Sequence, residues 1–356
     1  MSATALVIEI LWVEGVMALI VLAVILGYAV FSRRRDARRE SRLVAARVLI
    51  ARHLEDRTLR ADEVTVLRGL TPPDVIRLFF TVAPTVGLVE REWLREVAVA
   101  LDLVANARAR TETDEWWNRL SGARFLTLIG AEPAVMEGLA RDAHEAVRAA
   151  AAIFLAQYPT ATAVETLIHM LDDDSAVARF AAKDALMRLG AAATPAIAAR
   201  LSDADERHAT VLLQIACAAP SHEYTSAATK LRENASGAVR CLVARLFRGM
   251  GGAFATTQLT EMLDDTDAAV REAAVEALGF LNHWSSSPVV AARLEDGSSR
   301  VRLAAALALD RFGAPGELFL RRAIARGSDA ARAAAHRIIN DPSRSAMLVL
   351  GATTHA

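Results

Sequence analysis

Thiols are scarce in this chain: Cys217 and Cys241 are the two cysteines among 356 residues. They make neither a disulfide framework nor a cysteine-rich zinc site, and they read as reduced, mostly packed thiols of a cytosolic domain. Aromatic residues amount to 5%. Alanine is abundant and β-branched runs are few, so helix is the expectation. Net charge is −1, which leaves no overall electrostatic footprint for nucleic acid. The eight histidines form no His-Glu-x-x-His and no paired metal spacing. No Gly-x-Ser-x-Gly turn occurs. "GMGGAF" at 249–254 lacks the lysine of a phosphate loop and follows a helix, so it reads as an inter-helix turn. "SHEY" at 221–224 reads as a chance cluster at a turn. Catalytic, cofactor and metal residues are therefore expected to be absent.

What is present begins at the amino terminus. Residues 5–31 read "ALVIEILWVEGVMALIVLAVILGYAVF", with no charge from Gly15 to Phe31. About 20 apolar helical residues span a bilayer, and a span from Trp12 to Phe31 meets that. A cleaved signal peptide needs a basic leader and a small-residue cleavage site. Here no Lys or Arg precedes the run, and "GYAVFSRRR" leads straight into a basic cluster. Residues 1–32 are therefore expected to be an uncleaved transmembrane anchor. Residues 33–60 hold ten arginines against four acids, a balance of +6. Arg33, Arg34, Arg35, Arg38, Arg39 and Arg42 follow the span at once, so the amino terminus points outward and the rest is cytoplasmic. That collar serves as a topology signal, and each arginine beside anionic headgroups adds up to about 1 kcal/mol. Glu9 and Glu14 lie at the outer end. A carboxylate deep in lipid costs about 2.5–3.5 kcal/mol, so they sit at the interface or contact a partner's membrane helix.

The rest of the chain repeats itself. "DDTDAAVREAAVEALGFL" at 264–281 has relatives at a period of 30–31 residues. Its valine, Val270, is matched at Val147, Val177, Val239, Val301 and Ala331, with His208 at the remaining step. Five residues earlier stand Asp142, Asp172, Asp203, Asn234, Asp265 and Asp296. An arginine follows the valine at Arg148, Arg240, Arg271, Arg302 and Arg332, and one place later at Arg179. A degenerate earlier unit fits around Trp117, with Glu112 in the acidic place. Such a period means stacked supersecondary units, here two helices each. The first helix runs from the valine, and Gly or Pro breaks the chain. The second ends on Leu171, Leu201, Leu231, Leu263 or Leu294. The acids suit N-terminal caps, and acid and arginine could pair between units as a ladder. Alanine pairs such as Ala273–Ala274 and Ala304–Ala305 allow close helix approach.

The phrase D-x-x-x-x-V-R-x-A-A on this period resembles HEAT repeats, in the short bacterial variety also found in phycobilisome bilin lyases. The resemblance covers residues 112–342, about seven units. The fold expectation is all-α: a right-handed α-solenoid of helix pairs preceded by one transmembrane helix. Residues 33–111 are helical but off the period and serve as a basic juxtamembrane and capping region, with Thr71 and Pro72 opening one helix. Residues 343–356 form a tail that caps the far end or dangles.

HEAT proteins mostly act as curved scaffolds, so the resemblance implies a membrane-anchored adaptor for another protein. It also implies, more remotely, a membrane enzyme such as a polysaccharide-forming glycosyltransferase as the partner. A bilin-lyase-like chaperone or enzyme is the alternative, and a HEAT-like nucleic-acid binder is a third. Anionic lipid headgroups are expected at the collar, and no nucleic acid, small-molecule substrate or cofactor is expected. The place is the inner membrane. Second helices line the concave face of such solenoids. The position before the terminal leucine gives Met170, Arg200, Lys230, Met262 and Arg293, followed by Arg321 and Arg322. This row is a solvated face or a stripe that docks an acidic partner.

Overall fold

The computed structural model describes residues 31–34, 36–50, 67–83, 88–130 and 133–340, with isolated positions at 17, 21, 22, 25, 26, 28 and 65. Among the described residues the regular elements are helices and no strand occurs. None of these helices is long and apolar enough to cross a membrane. The expected span from Trp12 to Phe31 lies largely outside the described residues, as do Glu9, Glu14, Arg35 and the tail. Contacts divide the chain into two compact units, Met1–Phe154 and Leu155–Ala356.

The first unit has a leading helical run at 36–50. Leu43, Ala46 and Ile50 recur there at three- and four-residue steps and are buried, so one stripe of that helix faces inward. Then come α1 (Pro72–Val82), α2 (Leu88–Ala100), α3 (Leu103–Thr111), α4 (Trp116–Ile129), α5 (Pro133–Leu139) and α6 (Glu145–Leu155), whose last residue begins the second unit. Pro72 opens α1 as expected. Thr71 precedes it but caps no backbone N–H; its hydroxyl donates to Asp74 instead, at 2.8 Å. The α1 and α4 faces meet through Phe79 and Phe125, ring centroids 5.7 Å apart. Helices α3 and α4 approach so closely that a Cβ at Gly122 would lie 2.5 Å from the Ala107 carbonyl.

The second unit stacks helix pairs. First helices are α8 (Ala176–Leu189), α10 (Glu206–Ala218), α12 (Gly237–Met250), α14 (Ala268–Phe280) and α16 (Ser299–Arg311), each packed on the next. Second helices are α7 (Ala161–His169), α9 (Thr194–Leu201), α11 (Thr225–Leu231), α13 (Gly252–Glu261), α15 (Ser287–Ala292) and α17 (Ala314–Arg326). Helix α18 (Asp329–Ile339) packs on α16 and α17. The terminal leucines Leu171, Leu201, Leu231, Leu263 and Leu294 are all buried. Ala274 and Ala305 are buried too, and a Cβ on Gly279 of α14 would meet that of Ala308 on α16 at 2.8 Å. Small residues at these steps bring neighbouring helices close, and stacking then covers the apolar face a lone pair would leave wet. Gly190, Gly251 and Gly313 end first helices with φ between 53° and 66°, a region where a Cβ costs energy.

The repeat register differs from the one the sequence spacing suggested. Val177 is 54% exposed, whereas Ala178 is fully buried. Ala209, not His208, takes the inward place in α10. The buried residues Val147, Ala178, Ala209, Val239, Val270, Val301 and Ala331 recur in steps of 30 or 31. The acidic place moves with them, to Asp173 instead of Asp172 and to Ala204 instead of Asp203. Asp173, Asn234, Asp265 and Asp296 each accept the backbone N–H two residues on, at 2.8–2.9 Å. They tighten the turn before the helix, while Ser175 and Asp267 are the residues that cap it.

Candidate functional site

The recurrent acids and arginines are spent on one another. In α12, Arg240 donates from Nε and Nη2 to the two Asp265 oxygens at 2.7 and 2.8 Å, and from Nη1 to the Asn234 and Ala235 carbonyls. In α14, Arg271 repeats this on Asp296 at 2.8 Å for both bonds, with Nη1 on the Asp265 and Thr266 carbonyls. These are bidentate, charge-assisted rungs between consecutive repeats. Burial opposes the Asp265 charge, but the Arg240 guanidinium and the Asp267 N–H hold its carboxyl below the ordinary range. For Asp296 the Arg271 hydrogen bond dominates, with the same outcome. In the first unit Arg119 makes the same rung to Asp142, at 2.6 and 2.9 Å. The spacing had centred that early unit on Trp117 and missed Arg119. The shared Nη1 contact to carbonyls five and six residues back is what identifies it.

The rung is not universal among the described residues: Arg302 bonds only the Asp296 and Gly297 carbonyls, and the third repeat interrupts the ladder on both of its sides. Arg179 keeps its two carbonyl bonds, to Asp173 and Asp174, but Ala204 stands where the next carboxylate would be. Thr210 in turn replaces the next arginine and bonds back to the Glu206 carbonyl. In place of a rung, His208 links Asp172 through Nε2 and Asp205 through Nδ1. The Asp172 and then the Asp205 hydrogen bonds raise the imidazole's pKa.

The expected docking row divides in the structure. Met170 and Met262 are 5% and 3% exposed, so they belong to the core and are not available to a partner. At that place beside the buried leucine an apolar side chain turns inward, while Arg200 and Lys230 reach solvent. Arg293 bonds Asp264 and is mostly covered. Lys230 is exposed but donates to the Ser202 carbonyl. Arg200 is exposed. Arg321 pairs with Glu317 one turn away, while Arg322 is exposed beside a cleft of about 340 Å³ between α15 and α17. The collar divides as well. Arg33, Arg34, Arg38 and Arg42 are exposed. Arg39 instead grips Asp74, its Nε donating to both oxygens at 2.8 Å. Asp74 is 1% exposed, and the Arg39 hydrogen bond holds its carboxyl below the usual range. Arg39 is thus a structural clamp on the leading helix, with its side chain still partly exposed.

Nucleophilic chemistry finds little purchase at the thiols. Burial pushes Cys217 up to about 11 and also raises Cys241, so both are protonated near neutrality. Among the described residues no group of His, Cys, Asp or Glu is placed to hold a metal ion.

The HEAT-repeat family model matches residues 132–216, 226–309 and 256–340. This chain belongs to the HEAT-repeat family. Its match begins before α5 and runs to the end of α18, so the ladder from Asp142 onward is HEAT architecture. No curated protein sequence matches the chain at a significant level. Among solved structures, the karyopherin Kap121p bound to the extreme C-terminus of the protein phosphatase Cdc14p aligns with a TM-score of 0.50 and 13% identity, over 83% of this chain and 39% of that one. Kap121p bound to the SUMO protease Ulp1p aligns at 0.50 and 14%, over 79% and 37%. The HEAT chain thus spans well under half of that karyopherin. The CpcE–CpcF complex of phycocyanin lyase from Nostoc sp. PCC7120 is a looser likeness, at 0.30 and 18% identity, over 67% and 94%. At these identities the likeness is one of fold.

Proposed function

We propose that this HEAT-repeat chain is a membrane-tethered adaptor that docks another protein and catalyses no reaction itself. The observation that carries this reading is the fate of the repeated polar residues. Asp265, Asp296, Arg240 and Arg271 are consumed in holding repeats together, so what the stack offers outward is its non-repeating side chains. Extended surfaces of that kind are what solenoids use for binding. The tether rests on the uncharged run from Gly15 to Phe31. Its described positions Met17, Val21, Leu22, Ile25, Leu26 and Phe31 are apolar and more than half exposed, a set that suits lipid better than water. Arg33, Arg34, Arg38 and Arg42 then lie against anionic headgroups, and the partner is membrane-associated.

The test is gentle solubilisation with affinity capture, comparing the full chain with one lacking residues 1–32. A protein retained by both supports docking through the solenoid. One retained by the full chain alone makes the anchor part of the contact. Failure of both to retain any protein overturns the adaptor. Alkaline carbonate extraction tests the tether: release of the full chain into the supernatant overturns it.

A further inference from the structure

The cleft between α15 and α17 is built unlike the rest of the second-helix surface. Its lining includes the apolar Pro288, Leu294 and Phe319 together with Arg322 and Arg326. The two arginines are one turn apart on α17, so their guanidinium groups share a face. Both are exposed, and among the described residues neither has a carboxylate partner. Several other cations near the second helices are neutralised internally, Arg232 by Glu261, Arg293 by Asp264 and Arg321 by Glu317; Arg200 is exposed but stands alone, not as a pair on a cleft. The one acid in the lining, Glu295, is already engaged by the Ser328 backbone N–H at 3.1 Å. Arginine is among the residues enriched at protein-binding hot spots, and here two of them stand unneutralised beside a phenylalanine ring. A space of about 340 Å³ holds one large side chain with its flanking backbone.

We propose that this cleft takes a short acidic–apolar segment of a partner protein. One large apolar side chain packs on Phe319 and Pro288, and an adjacent carboxylate sits between Arg322 and Arg326. Guanidinium groups recognise carboxylates through paired, directional hydrogen bonds, which fix the register of the apolar neighbour. The assignment rests on the adaptor reading and gives the partner a chemistry.

The probe is a phage-displayed library of random dodecapeptides, selected on the full-length chain in detergent. Parallel selection uses the double variant Arg322→Glu with Arg326→Glu, and a second variant, Phe319→Ser, leaves the charges intact. Matched circular-dichroism melts establish that the variants fold. The expected result is enrichment of peptides with Asp or Glu beside Leu, Ile, Phe or Met. They should bind the full chain at least tenfold more tightly than either variant. No enrichment, or equal binding to the double variant, overturns the cleft. A chain lacking residues 341–356 that binds such peptides when the full chain does not would make the chain's own tail the occupant, which also overturns it. Affinity capture separates the two levels. A partner still captured by the double variant leaves the adaptor standing and removes this cleft from it.

Discussion

Between α12 and α16 the same rung is built twice, with hydrogen-bond lengths that agree to 0.1 Å. Between α8 and α10 it is missing, and these two helices still pack on each other but less extensively than α12 on α14 or α14 on α16. The difference shows how the rung works. It needs a carboxylate five residues before the inward side chain and an arginine one residue after it. The third repeat has neither, since Ala204 and Thr210 occupy those places. Stacking survives because the apolar contacts carry it: Ala178, Ala182, Leu212 and Leu213 are as buried as their counterparts in α14. The rung therefore adds to a stack that burial already holds together, and the joint without it is the more loosely packed.

The comparison is broken most strongly at Arg271. Replacing it by Ala strands Asp296, whose side chain is 5% exposed, and should destabilise the second unit by about 3 kcal/mol. Arg179→Ala, at the joint with no carboxylate, removes two carbonyl hydrogen bonds and should cost about 1 kcal/mol or less. Urea midpoints at constant slope measure both. Equal losses would mean that the carboxylate contributes nothing to the rung.

A smaller change sharpens the contrast from the other side. Ala204→Asp places a carboxylate where the open fork of Arg179 can meet it. The site is partly exposed, so the gain should be about 0.5–1 kcal/mol. In an Arg179→Ala background the gain should vanish, and the double-mutant cycle isolates the new bond. A gain that persists without Arg179 would assign the effect to the turn alone.

The period, the helix pairs, the alanine contacts and the ladder were all legible in the amino-acid order, because each is written several times. The register at the second and third repeats was not. "DDDS" and "SDAD" each offer an acid one residue early, and a uniform step of 31 then selects Val177 and His208. Only burial distinguishes Val177 from Ala178. The clamp from Arg39 to Asp74 was hidden for another reason. Its partners are 35 residues apart and occur once, so no repetition announces them. The docking row failed at Met170 and Met262 because the residue beside a buried leucine faces inward or outward according to its own polarity. The cleft was out of reach, since it is made by two helices whose spacing no pattern encodes.

The smallest expected effect tests whether the irregular joint behaves differently from the rungs in kind. His208 has its pKa raised by Asp172 and then Asp205, so the folded value lies above the unfolded one of about 6.5. The stabilisation it brings is fully present below about 6.5 and is lost as pH rises through the folded value. Asp265 and Asp296 are shifted the other way. Their contribution is present above the unfolded carboxylate value of about 3.9 and fades only as pH falls through the lowered folded values. Between pH 6 and pH 8 the rungs should therefore be indifferent while the joint loosens. Amide hydrogen exchange, corrected for intrinsic rates, should show the start of α10 opening roughly two-fold more at pH 8, small because the pair is partly solvated. The start of α14 should not change. Replacing His208 by Gln should abolish the difference at α10. A pH response of equal size at both helices, or one that survives His208→Gln, would show that the histidine link is not what holds the joint.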